Sequence, residues 1–225
     1  MYYRYLDLPF KIKKPDRSVL NEFTGCNVIG VAGNDFVLMN TESDLDSYRN
    51  ASYDKNINLN KMIKFDFQYD FEKWFCNHTD EIKLSSYYIF NTKEGTANSI
   101  HSDAPKIKAK INFVFADYNS CFEYFDSKNT YEYKGHGGDT GTITSADEKD
   151  CTLVKKLKYE NYYPILLDAT SLHRGNNRNC NSKRLTISYQ LTDKNNNYVK
   201  FDDAVKIFKD VLVPVENKFY MLSDF

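Results

Sequence analysis

The chain lacks any long apolar run. No segment approaches the ~20 consecutive apolar residues that a membrane-spanning helix needs. The N-terminal residues also lack the apolar stretch of a secretory signal. These absences speak against a membrane-anchored or secreted protein, so we expect a soluble, cytoplasmic protein with no membrane partner.

Cysteine and proline are also scarce. The five cysteines contain no Cys-x-x-Cys pair, which excludes the familiar zinc-binding spacings, and their odd number disfavours a disulfide framework. The five prolines are too scattered to mark a linker. We therefore expect free thiols and a single domain spanning residues 1–225.

Neither sign of charge is in excess. Thirty basic and 31 acidic side chains give a net charge of -1, which disfavours nucleic acid as a partner. Aromatic residues are plentiful instead, with 18 Tyr and 16 Phe beside a single Trp. Such side chains suit the half-buried surface of a sheet and favour a mainly β fold.

Alternating patterns predict the strands. In residues 107–115 the odd-numbered side chains are apolar and share one face, whereas Lys108, Lys110, Asn112 and Val114 share the other. Similar patterns predict strands over residues 63–67, 82–90, 121–125, 164–169 and 184–191. Helical spacing predicts helices only at the flanks, over residues 69–76 and 201–212. Many short strands with flanking helices are typical of a sandwich or barrel.

Two His-x-Asp pairs are candidates for chemistry. His101-Ser102-Asp103 precedes the predicted strand at residues 107–115, and we interpret it as a loop at the mouth of a barrel. His78-Thr79-Asp80 follows a predicted helix. There a histidine is electrostatically favoured by the helix C-terminus, so we interpret His78 as structural.

His173 is the third candidate ligand. It follows the apolar residues 165–167 and precedes an Arg-Gly-Asn-Asn segment that predicts a turn, which would leave the imidazole at a strand end. Two imidazoles and one carboxylate on one face of a metal, with open positions opposite, suit a non-haem Fe(II) that activates dioxygen. We therefore predict that His101, Asp103 and His173 share one ion.

Arg184 opens a strand eleven residues after His173. Period-two geometry puts Arg184, Thr186, Ser188 and Gln190 on one face of that strand. A guanidinium can hold a carboxylate with two parallel hydrogen bonds, and the Thr186 hydroxyl can donate a third. By itself Arg184 fits an ordinary edge strand; together with the spacing from His173 it predicts an anchor for an acidic cosubstrate.

Residues 87–191 resemble the iron(II)- and 2-oxoglutarate-dependent dioxygenase superfamily, particularly its prolyl-hydroxylase-like members. In that family a strand precedes a His-x-Asp motif, a later strand ends at a distal His, and an Arg follows about ten residues on. The resemblance implies a double-stranded β-helix, a cupin-like jelly roll with flanking helices. Its core would span about residues 82–192, braced by the terminal segments.

The resemblance also implies roles for individual residues. It implies that the cofactors are Fe(II), 2-oxoglutarate and O2. The reaction would hydroxylate a C–H bond of a peptide side chain or small molecule and release succinate and CO2. The implied catalytic metal ligands are His101, Asp103 and His173, and the implied cosubstrate contacts are Arg184, Thr186, Tyr88 and Asn112.

Two alternatives stay open from the sequence. One is a jelly-roll binding module that has no catalytic activity. The other is a member of the same superfamily that oxidises a nucleobase, which the near-neutral charge disfavours but a lysine face formed by Lys106, Lys108 and Lys110 would support.

Overall fold

The computed structural model describes residues 1–16, 28–32, 35–39, 65–103, 107–134, 142–159 and 163–214. Within these residues the fold is mainly β, with two antiparallel sheets and two α-helices. The helices are α1 (Asp66–His78) and α2 (Phe201–Ile207), with 3-10 turns at Glu148–Asp150 and Lys209–Val211. The strands are β1 (Tyr3–Tyr5), β2 (Val28–Ala32), β3 (Asp35–Met39), β4 (Ile82–Thr92), β5 (Ile100–Ser102), β6 (Ala109–Phe115), β7 (Cys121–Ser127), β8 (Tyr131–Lys134), β9 (Thr142–Ala146), β10 (Cys151–Lys158), β11 (Ile165–Asp168), β12 (Leu172–Asn176) and β13 (Arg184–Asp193).

The strands form a large and a small sheet. The large sheet has the order β1-β11-β6-β13-β4-β2-β3, and the small sheet has the order β10-β7-β12-β5-β9-β8. From β4 onward the chain passes repeatedly from one sheet to the other. Strands β4, β6, β11 and β13 lie in the large sheet, and β5, β7, β10 and β12 lie in the small sheet. Residues adjacent in sequence therefore contribute to both walls of a shared interior.

Helix α1 covers one face of the large sheet, which we call the outer face. Phe67, Phe71 and Phe75 recur every four residues, so they form one apolar stripe along the helix, and all three are buried. The ring of Phe71 lies 4.8 Å from that of Phe113 and 5.0 Å from that of Tyr189. This aromatic layer is the centre of the main hydrophobic core.

The predicted strands within residues 82–191 are present, and the alternation of β6 and β13 is confirmed. Odd-numbered residues of both strands pack into the core under α1. The predicted helix at residues 69–76 is longer than expected and becomes α1. The helix predicted over residues 201–212 is shorter, because α2 gives way to a 3-10 turn.

One strand prediction was wrong. Residues 63–67 alternate like a strand, and residues 63 and 64 lie outside the described part of the chain. Phe65 is the N-cap of α1, and Phe67 lies inside the helix. The four-residue spacing of phenylalanines from Phe67 onward decides the structure, because it gives the helix an apolar face that the sheet can bury. No helix among the described residues is long and apolar enough to cross a membrane.

Candidate metal and anion site

Two neighbouring strands of the small sheet bring the histidines together. His101 in β5 and His173 in β12 are direct partners in the antiparallel register, and their rings lie 4.8 Å apart. His101 was expected in a loop; it lies instead inside a short strand. The turn predicted after His173 was also wrong, because residues 174–176 continue strand β12. Both imidazoles are therefore fixed by sheet pairing.

Asp103 completes the cluster from the end of β5. Its backbone N–H donates to the carbonyl of Ala169, which holds the chain as it leaves the sheet. Its Oδ1 lies 3.7 Å from Nε2 of His101, and its Oδ2 lies 3.4 Å from Nε2 of His173. One ligand atom from each of the three residues lies within 4.8 Å of the other two. Adjacent ligand atoms around a metal with bonds near 2.1 Å are about 3 Å apart, so little movement would bring all three onto one ion.

Backbone carbonyls orient both imidazoles. Nδ1 of His101 lies 2.9 Å from the carbonyl oxygen of Ser99, and Nδ1 of His173 lies 2.8 Å from that of Ser171. A carbonyl oxygen only accepts, so each Nδ1 carries the proton and donates. The lone pair then resides on Nε2, the atom turned toward Asp103. This is the usual way in which a protein fixes the tautomer of a metal-binding histidine.

The electrostatics of the cluster favour the ligand forms. Burial and the neighbouring His173 lower the pKa of His101 to about 4, so this ring is neutral at pH 7. Burial of Asp103 opposes its ionisation, but the ammonium of Lys110 and the imidazoles outweigh burial and hold the pKa of this carboxyl well below its usual range. Neutral imidazole and ionised carboxylate are the states in which these groups bind metals.

A cavity of about 150 Å³ lies between the two sheets at this cluster. Cavities of this size hold small organic molecules in other proteins. The inner face of the large sheet, opposite α1, forms one wall with the even-numbered residues of β6 and β13. The seven side chains singled out from the sequence all line it: His101, Asp103, His173, Arg184, Thr186, Tyr88 and Asn112.

Arg184 is buried at the wall of this cavity, with 4% of its surface exposed. Its Nη2 donates to Oγ1 of Thr92 and to Oδ1 of Asn98. Nε and Nη1 of the same guanidinium make no well-aligned hydrogen bond within the described residues, although the Tyr159 phenol lies beside the guanidinium. A buried cation with donors left over is costly unless an anion accepts from them. The arrangement therefore fits a carboxylate-bearing ligand.

Two residues around Arg184 were missed by the sequence analysis. The guanidinium lies against the backbone of Gly175, where a Cβ would collide with it. Tyr159 also lines the cavity; burial raises the pKa of its phenol to about 12 although Arg184 opposes this, so the hydroxyl remains a donor at pH 7. The sequence predicts a turn at Gly175, and nothing in the local pattern of Tyr159 signals its position.

Ion pairs made by Arg174 hold strand β12 against its neighbours. Nε of Arg174 donates to Oε2 of Glu123 in β7, and its Nη2 donates to Oε1 of Glu148 in a 3-10 turn. Arg174 and Glu123 are both buried. Because His173 directly precedes Arg174, this pairing helps to fix the strand that carries the second imidazole.

The lysine face suggested by the sequence is wrong for Lys110. Lys106 lies outside the described residues, and Lys110 turns inward, with its Nζ 2.5 Å from Oδ2 of Asp103 and 13% of its side chain exposed. Its charge therefore lies inside the cavity and not on a surface that could contact a phosphate backbone. The second His-x-Asp pair behaves as interpreted: His78 lies in the last turn of α1 and stacks on Trp74 and Phe208.

In comparisons with known proteins, no family model matches this chain, and no curated protein is similar enough to count as a relative. The functional inference therefore depends on the geometry of the site.

Proposed function

We propose that this chain is an Fe(II)- and 2-oxoglutarate-dependent dioxygenase that hydroxylates a C–H bond of a peptide side chain or small molecule. The observation that carries the proposal is the convergence of His101, Asp103 and His173 at one end of a cavity that a buried arginine also lines. Two imidazoles and a carboxylate with open positions are the donor set of non-haem Fe(II) oxygenases.

The order of the strands supports a double-stranded β-helix. Strands β4, β11, β6 and β13 of one sheet face β5, β10, β7 and β12 of the other, and the chain changes sheet at every step except between β7 and β10. Two interleaved four-stranded sheets of this kind are the jelly-roll arrangement. The β8–β9 hairpin would then be an insertion that extends the small sheet.

The second support is the unsatisfied guanidinium. In the proposed enzyme Arg184 and Thr186 hold the carboxylate of 2-oxoglutarate that lies far from the metal, because both line the cavity and Arg184 retains unused donors. Asn112 and Tyr88 flank Ser188 in the sheet register, which places them between Arg184 and the far end of β13. We assign these two side chains to contacts along the cosubstrate.

The protein's own contribution is orientation and exclusion of water. His101, Asp103 and His173 would hold the Fe(II), which supplies the coupling of 2-oxoglutarate decarboxylation to hydroxylation, with succinate and CO2 as products. Phe122 stacks on His173 with ring centroids 5.1 Å apart and shields it from one side. Val114 and Leu167 add apolar surface to the cavity wall, which strengthens electrostatic interactions inside.

The test begins with anaerobic loading of the protein with Fe(II) and 2-oxoglutarate, followed by air and measurement of succinate. We expect succinate from the parent chain and a loss of more than about 100-fold in His101→Ala, because the ion loses a direct ligand. His78→Ala, which alters the other His-x-Asp pair, is the matched control and should retain activity.

Equal succinate formation by the parent chain and His101→Ala would exclude the proposed reaction. Metal binding without succinate formation would instead favour a binding module without catalytic activity. The nucleobase-oxidising alternative loses part of its motivation, because Lys110 faces the interior.

A further inference from the structure

We propose that Lys110 is a positioning residue that fixes Asp103 as a metal ligand through a single oxygen. This inference rests on the proposed function and adds a residue to it. The ammonium of Lys110 contacts Oδ2 of Asp103, and both side chains are mostly buried, at 13% and 12% exposure. This mostly buried ion pair therefore belongs to the structure of the site.

The sheet register explains why the ammonium reaches the site. Lys110 is paired with Gln190 on one side and Leu167 on the other, so its side chain emerges on the inner face of the large sheet. Asp103 belongs to the opposite wall, at the end of β5. The Lys110–Asp103 contact therefore bridges the two sheets at the metal cluster.

The contact gives the two carboxylate oxygens of Asp103 different surroundings. Oδ2 meets Lys110 at 2.5 Å and lies 3.4 Å from Nε2 of His173, whereas Oδ1 faces Nε2 of His101 at 3.7 Å. Oδ2 accepts no well-aligned hydrogen bond from the described residues, so the pairing with Lys110 is an ion pair. Groups that hold the second oxygen of a ligating carboxylate orient it and keep it ionised. With Oδ2 held by Lys110, Asp103 offers one oxygen to an ion.

Electrostatic repulsion alone predicts that Lys110 weakens metal binding. An ammonium beside a divalent cation repels it, and removal of Lys110 would then tighten metal binding. Positioning predicts that removal of Lys110 weakens metal binding, because Asp103 loses the partner that orients it. The sign of the change in affinity therefore decides between the two effects.

The experiment measures Co(II) affinity by calorimetry in the full chain and in Lys110→Gln and Lys110→Met. Gln keeps a donor without the charge, and Met removes both. We expect the affinity to fall in the order parent, Gln, Met, by about 10-fold or more at Met. The visible absorption of bound Co(II), which reports its ligand arrangement, should change in Met and change less in Gln. Lys155→Met, on an exposed part of β10, should match the parent.

Each outcome decides the proposal. Equal or tighter Co(II) binding by Lys110→Gln overturns it, and this comparison suffices if Lys110→Met does not fold, as checked by thermal unfolding without metal. A parent chain that binds no Co(II) and forms no succinate overturns the proposed function and this inference together. A parent that binds Co(II) and forms succinate, with variants of equal affinity, overturns this inference alone.

Discussion

The two faces of the large sheet are built by the same strands but treat their polar groups differently. On the outer face, the Tyr189 hydroxyl accepts from Nε2 of Gln68 and donates to Glu72, so a buried polar group is fully used. On the inner face, Oδ1 of Asn112, Oγ of Ser188 and two nitrogens of Arg184 make no well-aligned hydrogen bond within the described residues. Buried polar groups are normally satisfied. The contrast fits our proposal that the outer face stabilises the fold and the inner face binds a ligand.

A large cavity on the outer face should have the largest effect on stability. Phe71→Ala should lower the free energy of unfolding by about 3–5 kcal/mol, because Phe71 is fully buried against Phe113 and Tyr189. Urea unfolding gives the value, and Phe71→Leu should lose much less. The folded fraction of Phe71→Ala should still bind metal; loss of binding in that fraction would mean that the two faces are not separable.

Acid should destabilise the folded chain, because His101 is buried as a neutral imidazole. The pKa of His101 is lowered to about 4 in the folded chain, so the unfolded chain takes up a proton first as pH falls below about 6.5. Stability of the metal-free protein should therefore fall between about pH 6.5 and pH 4, by up to ~3 kcal/mol from this group. Urea unfolding with a chelator present, compared between the parent and His101→Asn, isolates the effect. Parallel curves would show that His101 does not resist protonation.

Removal of the Arg184 guanidinium should weaken ligand binding without lowering the stability of the fold. Arg184→Met should weaken 2-oxoglutarate binding by about 10- to 100-fold, because the cosubstrate loses its charged partner. The free energy of unfolding should stay the same or rise, since a buried cation with unused donors is lost. Arg178→Met, at an exposed position, should bind normally. An unchanged dissociation constant for 2-oxoglutarate in Arg184→Met would remove Arg184 from the binding site.

A single methyl group at Gly175 should disturb the inner face alone. Gly175→Ala places a Cβ where the guanidinium of Arg184 lies, so the side chain must move and its grip on a carboxylate weakens. We expect KM for 2-oxoglutarate to rise roughly 3- to 10-fold with kcat nearly unchanged. In an Arg184→Met background the same change should have no further effect. An additive loss in the double variant would show that Gly175 acts elsewhere.

Local periodicity in the sequence predicted both faces of the large sheet. Alternation in β6 and β13 separated the core residues from Asn112, Arg184 and Thr186, since strand geometry alone sends alternate side chains to opposite faces. The same reasoning failed at residues 63–67, where a short alternating pattern competes with the longer helical spacing of phenylalanines in α1. A longer periodic signal corresponds to more buried area and prevails.

Long-range pairing could not be predicted from local pattern. The alignment of His101 with His173 depends on β5 and β12 becoming neighbours in the small sheet, across about seventy residues of chain. Lys110 lies on the even-numbered face that the alternation predicted. Its contact with Asp103, however, depends on the opposite wall of the cavity. Tyr159 reaches the cavity from the end of β10, and no periodic signal covers it.

Titration of Fe(II) into the metal-free protein under anaerobic conditions tests most directly whether the three residues share one ion. We expect one ion per chain in the parent and in His78→Ala, and a loss of that ion in each of His101→Ala, Asp103→Ala and His173→Ala. Binding that survives all three substitutions, or that disappears equally in His78→Ala, would contradict the metal centre.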